Sequence, residues 1–480
     1  MAAAVALTVV VAHRFGSDRQ TDIVFNALII PNALVAVIYS LVTPVFVSAF
    51  KSIEVGRGTD EAWAFGRSAS RVTAVVGAAA VGVGILLSPI LARAVSPGFL
   101  PDDAARVGRT LQAAFLVVFL TLNASVLRGF LNAQGSFVVP AADVLAANLT
   151  GVATIVIAAP RWGAASIVAG VVAGGIARVA IQMPAYLMRR RAVAAPVLHP
   201  AMRQVWEQLW PVLCVGALFA ISVGFVRGLA SEIPGEGAVS CLSYAERIFG
   251  ASNDLVFVSF GMILLPSLAR HAAGGETDRL RNQVGKGMRL AAFFGIPAAV
   301  GLFLLAEPVV ALFCQRGRFG PEDTVRTAQA LRGYAASFSL SGAIILQQAF
   351  YALGETRPIL VSGVAFFGAT VLSGPPLARA FGLAGLGWTH SVALAAGGFI
   401  SLVLFGRRAG WPDIKGLFAG VLRTSFCAAI MGAAVWALSA MHVLFKVAIG
   451  AAVFALLARF VCPEEWRMTR KLWSRAEGSA

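Results

Sequence analysis

The stretch Val239–Leu268, VSCLSYAERIFGASNDLVFVSFGMILLPSL, is long and apolar enough to cross a membrane, yet it carries Glu246, Arg247 and Asp254. An arginine near the middle of a spanning helix costs roughly 3 kcal/mol, so it is expected to face protein or water rather than lipid. Ser240, Ser243, Tyr244, Arg247 and Asp254 lie at i−7, i−4, i−3, i and i+7, which places them on one helical face. The pattern is that of an apolar helix with one wet, cationic stripe. Such a cation can serve as a contact for an anionic group, or it can be held in an internal ion pair with Asp254. Glu246 lies about 100° around the helix from Arg247, which suits a contact at a second interface.

The rest of the chain must position that stripe. Its 480 residues are 58% hydrophobic and only 13% charged, where a soluble protein carries about a quarter charged residues. The apolar runs reach 20 residues or more, which indicates an all-α integral membrane protein rather than a β-barrel. Windows of apolar residues give fourteen candidate spans, near 2–13, 25–48, 72–95, 110–133, 138–159, 163–188, 210–230, 239–268, 288–313, 330–353, 359–381, 383–405, 417–440 and 443–461. Ala2–Ala12 is short for a crossing and lacks a basic leader, so a misplaced start that clips the first helix is expected.

Basic residues cluster in the short connections, at Arg189-Arg190-Arg191, Arg270 to Arg289, Arg407-Arg408 and Arg467 to Arg475. The bias of such runs toward the cytoplasm predicts both termini inside and leaves Arg178 and Arg247 as the arginines well within spans. Topology and anionic lipid thus account for the net charge of +16, and no nucleic-acid partner is expected. The five cysteines show no paired spacing and imply neither disulfide nor metal site. Gly285-Lys286-Gly287 lacks the follow-on residue of a phosphate-binding loop, so no nucleotide hydrolysis is expected.

A weak internal repeat relates Ile38–Lys51 to Ser259–Ala272, with Pro44 and Pro266 aligned, and Gly129–Gly135 to Ala349–Gly354. It suggests two pseudo-symmetric six-helix lobes, 1–200 and 201–410, then two added helices over 411–462 and a basic tail over 463–480. The repeat pairs the Arg247 helix with Phe25–Ser48, and the equivalent stripe, begun by Asp22 just before that span and continued by Asn26, Asn32 and Tyr39, is polar but not cationic. Asp22 can act as a gating partner or as a carboxylate at a helix N-terminus. Asp143 and Arg178 suit a gate or a structural pair within one lobe. His390 reads as a packing residue. Arg316 and Arg318, with Glu322 and Asp323, read as a solvated, salt-bridged turn.

The segment Phe313–Pro358, FCQRGRFGPEDTVRTAQALRGYAASFSLSGAIILQQAFYALGETRP, resembles the lipid II flippase family (MurJ/MviN) of the multidrug/oligosaccharidyl-lipid/polysaccharide exporter superfamily. Further matches are Phe15-Gly16 with Thr21-Asp22 and Pro31-Asn32, Tyr244-Ala245-Glu246-Arg247, and Leu264-Leu265-Pro266-Ser267-Leu268. The resemblance implies a non-enzymatic flippase of the bacterial inner membrane. It would move an undecaprenyl-diphosphate-linked glycan, lipid II or a similar peptidoglycan precursor, from inner to outer leaflet by alternating access.

It implies a headgroup cavity at Arg247, Tyr244, Asp254, Asp22, Asn26 and Asn32, with the lipid tail in a groove beside the two added helices. It implies no cofactor, coupling to the membrane potential or a monovalent ion, and cell-wall synthesis proteins and membrane lipids as partners. An inside-negative potential favours outward movement of an anion by about 2.3 kcal/mol per charge per 100 mV. The family's two arginines after the Pro-Asn of the second helix are absent from Ala33–Ser40, and Leu7 and Gly250 stand where the family has charge. Those departures keep other readings open. The first is a flippase for an exopolysaccharide or O-antigen-type unit. The others are a cation-coupled drug exporter, a membrane glycosyltransferase using Asp102-Asp103, and a non-transporting scaffold.

Overall fold

The computed structural model describes residues 2–191, 193–254, 267–268, 270–272, 274–438 and 441–477, and no β-strand occurs among them. The second half of the Val239–Leu268 stretch, residues 255–266, lies outside the described residues, as do Pro266 and most of its repeat segment. The first helices are α1 (Ala2–Phe15), α2 (Arg19–Arg57), α3 (Thr59–Val95), α4 (Pro101–Ala114), α5 (Leu116–Ala133), α6 (Val138–Trp162), α7 (Ala165–Arg189), α8 (Met202–Glu232) and α9 (Ala238–Asn253). Next come α10 (Thr277–Leu304), α11 (Ala306–Cys314) and α12 (Pro321–Ala335), then a 3₁₀ turn (Ala336–Leu340) and α13 (Gly342–Ala352). The chain continues through α14 (Arg357–Ala409), α15 (Ile414–Ala437), α16 (Val443–Val461) and α17 (Pro463–Glu477).

Each of the fourteen expected spans meets a helix. Ten helices among the described residues are long and apolar enough to cross a membrane. The differences are breaks within spans. The fourth span divides at Phe115, the ninth at Leu305, and the tenth at the 3₁₀ turn. The eleventh and twelfth run together as α14, interrupted only at Gly382, whose φ of 57° and ψ of −131° are not helical. α2 holds Pro31 and Pro44 inside its length, which membrane helices tolerate because neighbours re-satisfy the freed carbonyls. Asp18 starts α2 by accepting hydrogen bonds from the Thr21 N–H and hydroxyl, both at 2.9 Å.

The chain forms two compact units, Met1–Ser240 with Arg316–Phe319, and Cys241–Gln315 with Gly320–Ala480. In the first, α2 is the hub, packed on α3, α4, α5 and α8. Its largest aromatic cluster joins Phe46, Phe50, Trp63, Phe65 and Phe130, with the Trp63 and Phe130 rings stacked at 5.2 Å. The Arg316–Phe319 segment belongs to this unit because the Arg318 N–H donates to the His13 carbonyl at 3.1 Å and its guanidinium pairs with Asp18 at 3.2 Å. Gly317 permits that approach. Its φ is +61°, and a Cβ there would collide with the His13 carbonyl oxygen. The two family-like segments RGRF and FG…TD therefore meet, and Arg318 pairs with Asp18 rather than with Glu322 or Asp323.

In the second unit α10 is the hub, packed on α12, α13, α15 and the 3₁₀ turn. Phe293 of α10, Cys427 and Met431 of α15, and Phe454 and Ala458 of α16 bury one another. The two added helices are thus integral to this unit's core.

Candidate functional site

The polar stripe of α9 changes character along its length. Ser240 and Tyr244 are fully buried, Ser243 is 5% exposed, Arg247 is half-buried, and Asp254 follows the helix end and is exposed. No ion pair joins Asp254 to Arg247 among the described residues. Glu246 points away from that stripe and accepts a hydrogen bond at 2.9 Å from the Tyr334 hydroxyl of α12, the second-interface contact its helical angle predicts. Tyr334 and Phe249 stack at 5.4 Å, and both pack on His390. An aromatic cage completed by Phe366 surrounds that histidine, which fits a packing role.

Of the expected polar positions on α2, Asp22 and Asn26 are each 1% exposed, whereas Asn32 is exposed and Tyr39 half-buried. Asp22 accepts at one oxygen from the Gly237 N–H at 2.9 Å, and at the other from the Ser240 N–H at 2.7 Å and the Ser240 hydroxyl at 2.5 Å. The carboxylate thus holds the free N–H groups of the first turn of α9. Asn26 donates to the Ser96 hydroxyl at 3.1 Å, and its amide oxygen is buried with no partner among the described residues. Arg227, 4% exposed within α8, donates to the Val239 carbonyl at 2.7 Å.

A second cationic cluster lies within the first unit. Arg128 of α5 donates to Asp143 of α6 at 2.5 Å and to the Pro140 carbonyl at 3.1 Å. Gln182 of α7 donates to the other Asp143 oxygen at 2.9 Å. Asp143 therefore pairs with Arg128 and not with Arg178. The reason is local: the short α5–α6 turn brings Arg128 alongside Asp143, while Gln182, one turn beyond Arg178, occupies the remaining oxygen. The Arg128 guanidinium lies 4.1 Å from the Tyr39 ring centroid, and that of Arg178 lies 5.1 Å from the same centroid. Nothing in the sequence signals this role for Arg128, which falls near a span end, where an arginine ordinarily marks a loop. Its partner 15 residues away follows no helical spacing.

The second unit carries an apolar cavity of about 460 Å³. Phe303 and Leu304 of α10, Ala336, and Gly432 and Trp436 of α15 border it. A second cavity of about 360 Å³ shares Leu304 and Trp436 and reaches Lys446 of α16. The first is an open, almost wholly apolar groove beside α15, of a kind that suits an apolar chain, whereas the second is more polar at Lys446. Among the described residues no group of three or more His, Cys, Asp or Glu side chains is placed to hold a metal ion.

The family model described as lipid II flippase MurJ matches residues 11–455 of this chain. A probable lipid II flippase MurJ of Bdellovibrio bacteriovorus is 30% identical over 63% of this chain and 59% of its own length. The chain thus spans under two thirds of that relative. The lipid II flippase MurJ of Burkholderia cenocepacia is 26% identical over 80% of this chain and 77% of its own length. Among solved structures, a lipid II flippase MurJ in an inward closed conformation superposes with a TM-score of 0.79 at 17% identity, covering 95% of each chain. An inward-facing multidrug transporter of the MATE family superposes at 0.72 with 13% identity, covering 87% of this chain and 96% of its own. These superpositions establish the fold, and the match across residues 11–455 shows that the chain belongs to the lipid II flippase MurJ family.

Proposed function

We propose that the protein is a flippase for a polyprenyl-diphosphate-linked glycan, lipid II in the first instance, and that it acts without nucleotide hydrolysis. The observation that carries this reading is the breadth of the family match, which runs through helices of both units rather than resting on one motif. The half-buried Arg247 within α9 supports it, since a diphosphate needs fixed cations to replace its hydration. The apolar groove beside α15 suits a lipid tail. Energy would come from the membrane potential or a monovalent ion gradient. Arg247, Tyr244, Asp254, Asp22, Asn26 and Asn32 remain the proposed headgroup set, with the burial of Asp22 and Tyr244 favouring a supporting part for those two.

The test is complementation. A bacterium depleted of its own lipid II flippase is expected to grow on this gene and to regain lipid II in the outer leaflet, measured directly. Growth without outer-leaflet lipid II, or neither, sinks the reading in favour of another lipid-linked glycan.

The protein is a multi-pass membrane protein. We place it in the bacterial inner membrane with both termini in the cytoplasm, since the basic runs fall in connections that the even span count puts on one side. A reporter fused after Ser474 is expected to read as cytoplasmic, and a periplasmic signal would reverse the assignment. Cell-wall synthesis enzymes, which must supply and consume the lipid, are the proposed protein partners.

A further inference from the structure

Arg128, Arg178 and Tyr39 come from three helices of one unit and converge on a single ring. Tyr39 stands midway along α2, within one of the ten helices fit to cross a membrane. The two guanidiniums lie 4.1 and 5.1 Å from its centroid, so their separation is capped by the sum of those distances. Among the described residues one carboxylate answers them. Asp143 is 1% exposed, and its two oxygens are engaged by Arg128 and Gln182. Arg178 has no ion pair among the described residues. The cluster therefore carries a surplus positive charge.

That surplus is costly. A cation at membrane depth is rarely left with an aromatic face alone, because one cation–π contact offsets about 1–2 kcal/mol against roughly 3 for burying the charge. Arg128 is 15% exposed and Arg178 half-buried, so neither guanidinium is sealed inside the unit. Asp143 and Gln182 fix Arg128 in place, and Arg128 and Tyr39 in turn offer Arg178 a rigid platform. Two pre-positioned forks with one charge unanswered are suited to the oxygens of a phosphate group, which accept several N–H bonds at once.

We propose that Arg128 and Arg178, gathered on Tyr39, form a phosphate-binding subsite within the first unit that takes the diphosphate of a polyprenyl lipid. The lipid source rests on the flippase reading, whereas the phosphate chemistry follows from the cluster itself. Arg178 is the principal contact, and Arg128 both contacts the ligand and holds Tyr39. This supplies the first unit with the positive charge that the sequence of α2 lacks.

The experiment uses the full chain in lipid nanodiscs, titrated with a polyprenyl diphosphate, with the same polyprenol lacking phosphate, and with inorganic pyrophosphate. Arg178→Gln is expected to weaken the diphosphate lipid about tenfold or more, the loss of one hydrogen-bonded charge contact, with polyprenol binding unchanged. Arg178→Lys should retain part of the affinity. Removing Arg128 alone would strand Asp143, so the double variant Arg128→Gln with Asp143→Asn is the second probe, and it is expected to weaken the same ligand at wild-type thermal stability.

If inorganic pyrophosphate competes as strongly as the lipid, and Arg178→Gln removes that competition, the subsite stands as one for free phosphate. If Arg178→Gln and the double variant both bind the diphosphate lipid within twofold of wild type, the subsite is overturned. Complementation separates the two readings. A wild type that complements while these variants bind normally removes only the subsite; a wild type that fails to complement yet binds pyrophosphate through Arg178 removes only the flippase.

Discussion

Arg247→Ala is expected to abolish export of the lipid-linked glycan while leaving the protein folded and at normal abundance. The arginine is half-buried within α9, and no ion pair ties it to Asp254. A structural charge pair between those two residues is therefore not what holds the helix. Removing an arginine that contacts a diphosphate deletes a bidentate contact, and hydrogen bonds to charge are worth about 1.5–3 kcal/mol. Arg247→Lys should keep a fraction of transport, because an ammonium is a point charge without the planar fork. Outer-leaflet accumulation of the lipid in cells, beside membrane abundance by immunoblot, checks both. Normal transport by Arg247→Ala at normal abundance would end the headgroup assignment. Disappearance of the mutant from the membrane, rescued by Asp254→Asn, would restore the ion pair as the explanation.

The second large effect concerns stability. Arg289 of α10 donates to Glu465 at 3.0 Å through Nε and at 2.5 Å through its terminal nitrogen, and to Glu464 at 2.6 Å. Glu465 is fully buried, and its second oxygen has no partner among the described residues. Arg289→Ala leaves that carboxylate buried without its cation, which costs about 3–5 kcal/mol in comparable cases. Thermal unfolding in detergent should drop sharply, with earlier proteolysis of α17. Replacing Arg289 and Glu465 together by leucine should recover most of the loss; equal instability of single and double variants would refute the ion-pair account.

The same contact sets a pH dependence. The hydrogen bond and charge of Arg289 hold the Glu464 carboxyl below the ordinary carboxylate range. A lowered pKa contributes stability that is fully present above the unfolded value, about 4.3, and is lost as pH falls through the folded one. Attachment of α17 should therefore weaken on acidification below about pH 4, and this sensitivity should vanish in Arg289→Ala.

Much of the fold was legible because a membrane imposes a length on every apolar run. Each expected span meets a helix, the eighth over its described part alone, and the discrepancies are the merged eleventh and twelfth spans and internal breaks at Phe115, Leu305 and Ala336–Leu340 that hydropathy averages away. Single-helix geometry was also legible. The angular offset of Glu246 from Arg247 anticipated the contact with Tyr334, and the apolar setting of His390 anticipated its cage.

What the sequence concealed depends on three-dimensional register between helices. Arg128 and Asp143 sit on either side of a turn, Tyr39 and Arg178 are far apart in the chain, and no periodicity links the four. Asp22 invited a cavity role by its place on α2, yet its oxygens close the first turn of α9, a use that only the position of Gly237 and Ser240 reveals. Arg289 ends a basic run that reads as cytoplasmic, and its burial against Glu465 follows from no charge count.

The aromatic cluster of the first unit bears on how the protein is made. Phe46, Phe50, Trp63, Phe65 and Phe130 all precede Ala133, and their rings touch one another across α2, α3 and α5. Only Val205 and flanking residues such as Tyr186 and Leu209 come later. A ribosome that has released α5 has thus already delivered nearly every ring of this core. Because chains are threaded into the membrane from the N-terminus at about 5–20 residues per second, α2, α3 and α5 can lock together several seconds before α7 and α8 arrive. The later helices then dock onto an assembled three-helix seed, and Arg178 enters the bilayer with Tyr39 and Arg128 already in place to receive it.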